Sequence, residues 1–163
     1  RRRPDIDAGA ASTGPGSGAH PELAARISSD ELSALSELAY DYLARRVDEV
    51  ALTIYRALTV LEPRRALHWV GLAVACARRG DAREAERCLL QSARVEPENP
   101  IPLLHLAEYR LGCGEFGQAE KCLRRALDLA AADLQTATKA RSLLAVLAYK
   151  AGRRTIDASS GRK

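Results

Sequence analysis

The sequence predicts an all-α fold: a superhelix of three stacked helix pairs closed by a C-terminal capping helix. Three observations predict it. Ala, Leu and Arg dominate the middle of the 163-residue chain while aromatic residues make up only 4%, and unbranched side chains lose little rotamer freedom in a helix. Apolar and small residues recur through that middle with a spacing of 34. Gly and Pro fall at a fixed phase of the same spacing, where helix ends and turns belong.

The columns agree closely. Ala51, Ala85 and Ala119 are one step apart, as are Tyr55, Leu89 and Leu123. Gly80 pairs with Gly114, Pro63 with Pro97 and Cys88 with Cys122, and Leu35, Trp69, Leu103 and Leu38, Leu72, Leu106 keep the step. This is the period of the tetratricopeptide repeat, a helix hairpin whose apolar face is buried only by stacking on its neighbours.

Each element follows from its residues. Residues 1–20, with Gly14-Pro15-Gly16-Ser17-Gly18, are too poor in apolar side chains to offset the entropy of ordering and are expected to be disordered. His20 to Ile27 is compatible with a short helix, and Ser28-x-x-Glu31 is a capping box for the next one. The repeat domain spans 21–151, with repeats at about 32–65, 66–99 and 100–133. The helix pairs are expected at 32–45 and 48–61, 66–79 and 82–95, and 100–113 and 116–129. In the second repeat, Trp69, Leu72, Ala73 and Cys76 share one helix face, Gly80-Asp81 turns the chain, Ala85 lets two helices cross closely, and Pro97 ends the hairpin. The first repeat departs from this pattern with Arg46 at the turn glycine, and the third with Ala131 at the terminal proline. A helix at about 134–151, carrying Leu143, Leu144, Val146 and Leu147, is expected to cap the stack, with a disordered tail from 152 to 163.

Composition excludes several functions. The formal charge is +4, much of it in Arg1 to Arg3 and in Arg153, Arg154, Arg162 and Lys163, while the middle mixes both signs as solvated helix faces do. A basic face interleaved with stacking aromatics is missing, so nucleic acid is not an expected partner. No apolar run is long enough for a bilayer and no apolar signal segment stands at the start, so membrane insertion is not expected. With Arg1 first and no Met anywhere, the chain reads as a trimmed piece. Cys76, Cys88, Cys113 and Cys122 are separated by 12, 25 and 9 residues and do not cluster with His20, His68 or His105, which argues against zinc and for free thiols in a reducing cytosol. Neither a phosphate loop nor a nucleophile beside a base is present, so no catalytic, metal or cofactor residue is assigned and no enzyme is expected.

The run Ile27-Ser28-Ser29-Asp30-x-Leu32-x-x-Leu35-x-x-Leu38-Ala39-Tyr40 resembles the opening of the class II type III secretion chaperones, the family of LcrH, SycD, PcrH and IpgC. Ala57-Leu58-x-Val60-Leu61, Gly71-Leu72 after Trp69, Pro100, His105-x-Ala107-Glu108, Gly114-Glu115 and Ala119-Glu120 continue the resemblance, which covers residues 27 to about 129. It implies a bacterial cytosolic chaperone that keeps hydrophobic translocator proteins soluble and secretion-competent by holding an extended stretch of them on its concave face. It also implies a homodimer formed through the N-terminal region in several members, and dealings with a transcriptional regulator in some.

In tetratricopeptide stacks the first helix of each pair lines the concave side, with repeat positions 5, 9 and 12 facing inward. Those positions are Ser36, Tyr40 and Leu43; Val70, Val74 and Ala77; and Leu104, Glu108 and Leu111. A mostly apolar groove of this kind suits an extended peptide with two or three apolar anchors, each contributing roughly 1.5–3 kcal/mol. Ordering costs then leave a net of about −8 kcal/mol, in the micromolar range. Tyr40 is the leading contact, since its ring can stack on a proline and its hydroxyl can reach a carbonyl; packing on the N-terminal helix is its other reading. Glu108 either accepts from a client backbone or pairs with an Arg such as Arg78 or Arg110. Ser36 stands where relatives of the resembled family carry an aromatic. Trp69, Cys76 and His105 read as packing residues. A second class of function also fits the repeats: a scaffold or regulatory adaptor, including a needle-subunit co-chaperone or a transcription co-regulator, that docks a partner on its outer or terminal surfaces.

Overall fold

The structure is a computed structural model that describes residues 27–130 and 133–160, with side chains to residue 150. Among the described residues the elements are α1 (Ser29–Ala44), α2 (Asp48–Leu61), α3 (Ala66–Arg78), α4 (Ala82–Val95), α5 (Pro100–Gly112), α6 (Phe116–Leu129) and α7 (Leu134–Ser160). Residues 1–26, 131–132 and 161–163 lie outside the described set, and with them the expected N-terminal disorder, the short helix before Ile27 and the end of the tail.

Caps set the helix boundaries. Ser28 Oγ accepts from the Glu31 amide at 3.2 Å and Glu31 Oε2 accepts from the Ser28 amide at 2.8 Å, so α1 begins at Ser29 rather than at 32. Asp81 caps α4 through the Glu84 amide, and Asn99 followed by Pro100 opens α5. The start of α3 has no cap of its own. Glu96, at the end of α4, accepts from the Ala66 amide at 2.8 Å and holds the second hairpin closed at that end. α7 passes through Gly152 to Ser160, so the tail expected from 152 is helical; a single helix-interior glycine costs only about 1 kcal/mol, and no proline follows it.

The three intra-hairpin turns are copies of one another. Val47, Asp81 and Glu115 donate to the carbonyls of Tyr42, Cys76 and Arg110 at 2.9, 3.0 and 2.9 Å, the six-to-one bond of a Schellman motif. Each motif requires a left-handed residue, supplied by Arg46 (φ 64°), Gly80 (φ 85°) and Gly114 (φ 80°). Arg46 therefore keeps the fold's turn geometry without the residue best suited to it.

Turns this short make each pair antiparallel. Successive helices pack along the chain, and α1, α3, α5 and α7 also touch one another in order. The odd-numbered helices thus form an inner layer and α2, α4 and α6 an outer one. Ala51, Ala85 and Ala119, each 0% exposed, sit where the outer helices cross their neighbours. One core runs through α1 to α4 and reaches Leu106 of α5; a second joins α5, α6 and α7 through Leu104, Ala107, Leu123, Ala140 and Leu147. Arg78 donates to the Leu43 carbonyl and meets Asp48 at 3.0 Å, tying the end of α3 to the first turn.

His68 lies wholly buried at the start of α3, its Nε2 3.6 Å from Glu62 Oε2 and no hydrogen-bond partner on either ring nitrogen among the described residues. Burial lowers its pKa against the opposing pull of Glu62, the Leu58 backbone and Glu96, with Arg65 acting in the same sense as burial.

Two outcomes test these features. Arg46→Gly is expected to stabilise the protein by about 0.5–1 kcal/mol, read as a higher denaturant midpoint with unchanged slope, because it relieves left-handed strain and gives back part of the gain as unfolded-state entropy. For His68 the folded pKa lies below the unfolded one, so the unfolded chain takes up the proton first and stability falls as pH drops below about 6.5. Thermal melts from pH 7.5 to 5 should show that fall in the wild type and a smaller one in His68→Gln.

Candidate peptide-binding groove

The inner layer opens into a groove of about 970 Å³ between α1 and α3. Ser36, Tyr40 and Leu43 of α1 line it together with Val70 and Val74 of α3, and the repeat positions place all of them on the inner face. Tyr40 is 68% exposed. Leu43 and Val70 are nearly buried and form the bed between the two helices.

Further residues shape the groove that repeat counting did not single out. Leu38 and Leu67 keep 45% and 44% of their surface exposed and both line it. Leu38 shares a column with Leu72 and Leu106, which are buried; among the described residues no hairpin precedes α1 to cover it. Tyr55 reaches in from α2, and its ring lies over Gly71 of α3 so closely that a Cβ at 71 would fall within it. Burial, helped by the nearby Tyr40 phenol, raises the Tyr55 pKa. Arg78 closes one end of the groove, and Glu37 and Asp41 stand along the α1 side.

The third repeat is built differently from the expectation. Leu104 belongs to the second core, which α5 forms together with α6 and α7, and Leu111 packs against that core. Ala77 is exposed on the last turn of α3 and does not line the groove. Glu108 pairs with neither Arg78 nor Arg110: its carboxylate sits 2.7 Å from Lys139 Nζ of α7 and 3.2 Å from His105 Nδ1. Burial works to raise the Glu108 pKa, but those two bonds outweigh it and the net shift is downward. His105, read from sequence as a packing residue, is half-buried and lines the groove's far side. Trp69 and Cys76 pack in the core as expected, and the Trp69 indole donates to the Pro63 carbonyl at 2.8 Å.

Buried Cys88 has its thiol pushed up to about 12 by burial and by Glu84, and burial also raises the Cys76 and Cys122 thiols, so all three stay protonated at neutral pH. What the groove presents is apolar wall, two phenols and a few charged groups at its rim.

Solved structures share this architecture. The Yersinia enterocolitica type III secretion translocator chaperone SycD matches with a TM-score of 0.69 and 28% identity over 85% of this chain and 97% of that one. This chain is similar in fold and in sequence to the type III secretion translocator chaperones. SycD in complex with a peptide of the translocator YopD matches at 0.66 and 28%, over 76% of this chain and 96% of SycD. PcrH, the Pseudomonas aeruginosa protein, in complex with the chaperone binding region of PopD, matches at 0.67 and 25%, over 76% and 96%. No protein-family model and no curated protein matches the chain. The translocator-chaperone likeness thus rests on shape over nearly the whole of each relative, together with the run from Ile27 to Tyr40 whose capping box starts α1.

Proposed function

We propose that this chain is a cytoplasmic type III secretion chaperone that holds an extended segment of a hydrophobic translocator protein in the α1–α3 groove. One observation carries the proposal: large apolar side chains, Leu38, Tyr40 and Leu67, are left exposed around a concavity instead of being buried. A monomer gains nothing by exposing them there, whereas a partner segment with spaced apolar anchors would bury them. Relatives solved with translocator peptides, SycD with YopD and PcrH with PopD, support the same use of the fold.

The groove contacts are Ser36, Tyr40, Leu43, Val70 and Val74, extended by Leu38, Leu67 and Tyr55. The repeat domain over 21–151 is the binding unit, and its role is binding without catalysis. No helix among the described residues is long and apolar enough to cross a membrane, which accords with a cytoplasmic setting. SycD is also known as an alternative dimer, and a homodimer of this chain belongs to the same proposal.

Val74→Glu places a carboxylate in the apolar bed. Loss of one anchor pocket is expected to weaken client binding roughly 10- to 100-fold. Co-expression with a translocator checks it: wild type should keep the client soluble and co-purify with it, and Val74→Glu should do neither while retaining its helical circular dichroism. Equal recovery of client with the variant would remove the groove from the mechanism.

A further inference from the structure

The column Tyr55, Leu89, Leu123 holds buried side chains in every repeat, and only the first repeat puts a polar atom there. Tyr55 is 5% exposed, and buried phenols ordinarily find a partner. Two other polar aromatics have one: the Trp69 indole donates to the Pro63 carbonyl, and the Tyr109 hydroxyl donates to the Ala82 carbonyl at 2.7 Å. Among the described residues the Tyr55 hydroxyl has no hydrogen-bond partner, yet it is not one of the fully enclosed orphan atoms, so the surface it keeps is open to the groove that Tyr55 lines. The far end of its ring rests over Gly71, and both residues line the groove. A glycine in the interior of α3 is unfavourable for the helix, and here it makes the room that this ring occupies.

An isolated hydroxyl in an apolar bed is matched by a ligand that brings an unpaired polar group to the same place. An extended polypeptide does so at every residue, because its amide N–H and C=O groups find no ladder on an all-helical wall. A helical segment does not, because its amides are already used internally. A phenol can both donate to a carbonyl and accept from an amide.

Resting on the groove proposed above, we propose that the Tyr55 hydroxyl is a main-chain anchor: it hydrogen-bonds a backbone amide group of the client segment, so the groove selects for extended backbone as well as for apolar side chains. Tyr40, whose phenol lies close by, encloses the anchored group from the open side of the groove.

The probes are overlapping synthetic peptides covering YopD and PopD, with binding measured by calorimetry to wild type and to Tyr55→Phe, which keeps the ring over Gly71. The bound peptide is then scanned by replacing one backbone amide at a time with an ester. The anchor predicts that Tyr55→Phe binds roughly two- to tenfold more weakly, the effect of one net hydrogen bond. It also predicts that the free variant melts no lower than wild type, and that one ester position reproduces the loss in wild type but adds nothing in Tyr55→Phe. Equal binding by wild type and Tyr55→Phe, or an ester scan that is the same in both, overturns the anchor and leaves the groove standing. Failure of wild type to bind any of the peptides overturns the groove proposal and the anchor with it.

Discussion

None of the hairpins in this chain can bury its own apolar surface. Two helices of about four turns have room for one shared seam, and each carries a second apolar stripe that only a neighbouring hairpin covers. Ala51, Ala85 and Ala119 make the stacking close enough to do this: with no side chain beyond Cβ and no exposed surface, they let the outer helices cross their neighbours at contact distance. Once that crossing is fixed, α1, α3, α5 and α7 must line up on one side. The groove is a consequence of this register.

The register also explains why the groove is lopsided. Between α1 and α3 the inner side stays open, with apolar residues exposed around it. At α5 the capping helix α7 closes in, completing with α6 a second core that holds Leu104 and that Leu111 packs against, and pairing Lys139 with Glu108. The same helix that shields the end of the solenoid from water thus uses up what would have been the third section of the open inner face. His105, standing on the boundary, faces the groove while its Nδ1 leans on Glu108.

Most of the fold was legible in the sequence because its signals are local. Ser28 with Glu31, Asp81, Asn99-Pro100, Gly80 and Gly114 each act within one turn of a helix, and the helices start and stop where those residues dictate. Other features depend on contacts far apart in sequence. That Arg46 still adopts the left-handed turn follows from its hairpin being clamped by neighbours such as Arg78. The length of α7 was hidden because Gly152 weakens a helix without ending it. In the site, Ser36, Tyr40, Leu43, Val70 and Val74 follow from repeat phase alone. Leu38 could not be told from Leu72 and Leu106 without knowing that its hairpin stands first, and Tyr55 reads as one more core residue until its ring is seen across Gly71.

The central claim is that the client lies against the inner layer and not the outer one. Site-specific photocrosslinking during co-expression with a translocator tests this most directly, with the photoreactive p-benzoylphenylalanine replacing Val74 on α3 in one variant and Arg87, exposed on α4, in the other. The account predicts a covalent client adduct from position 74 and none from position 87. An adduct from position 87 alone would place the partner on the outer face and contradict it.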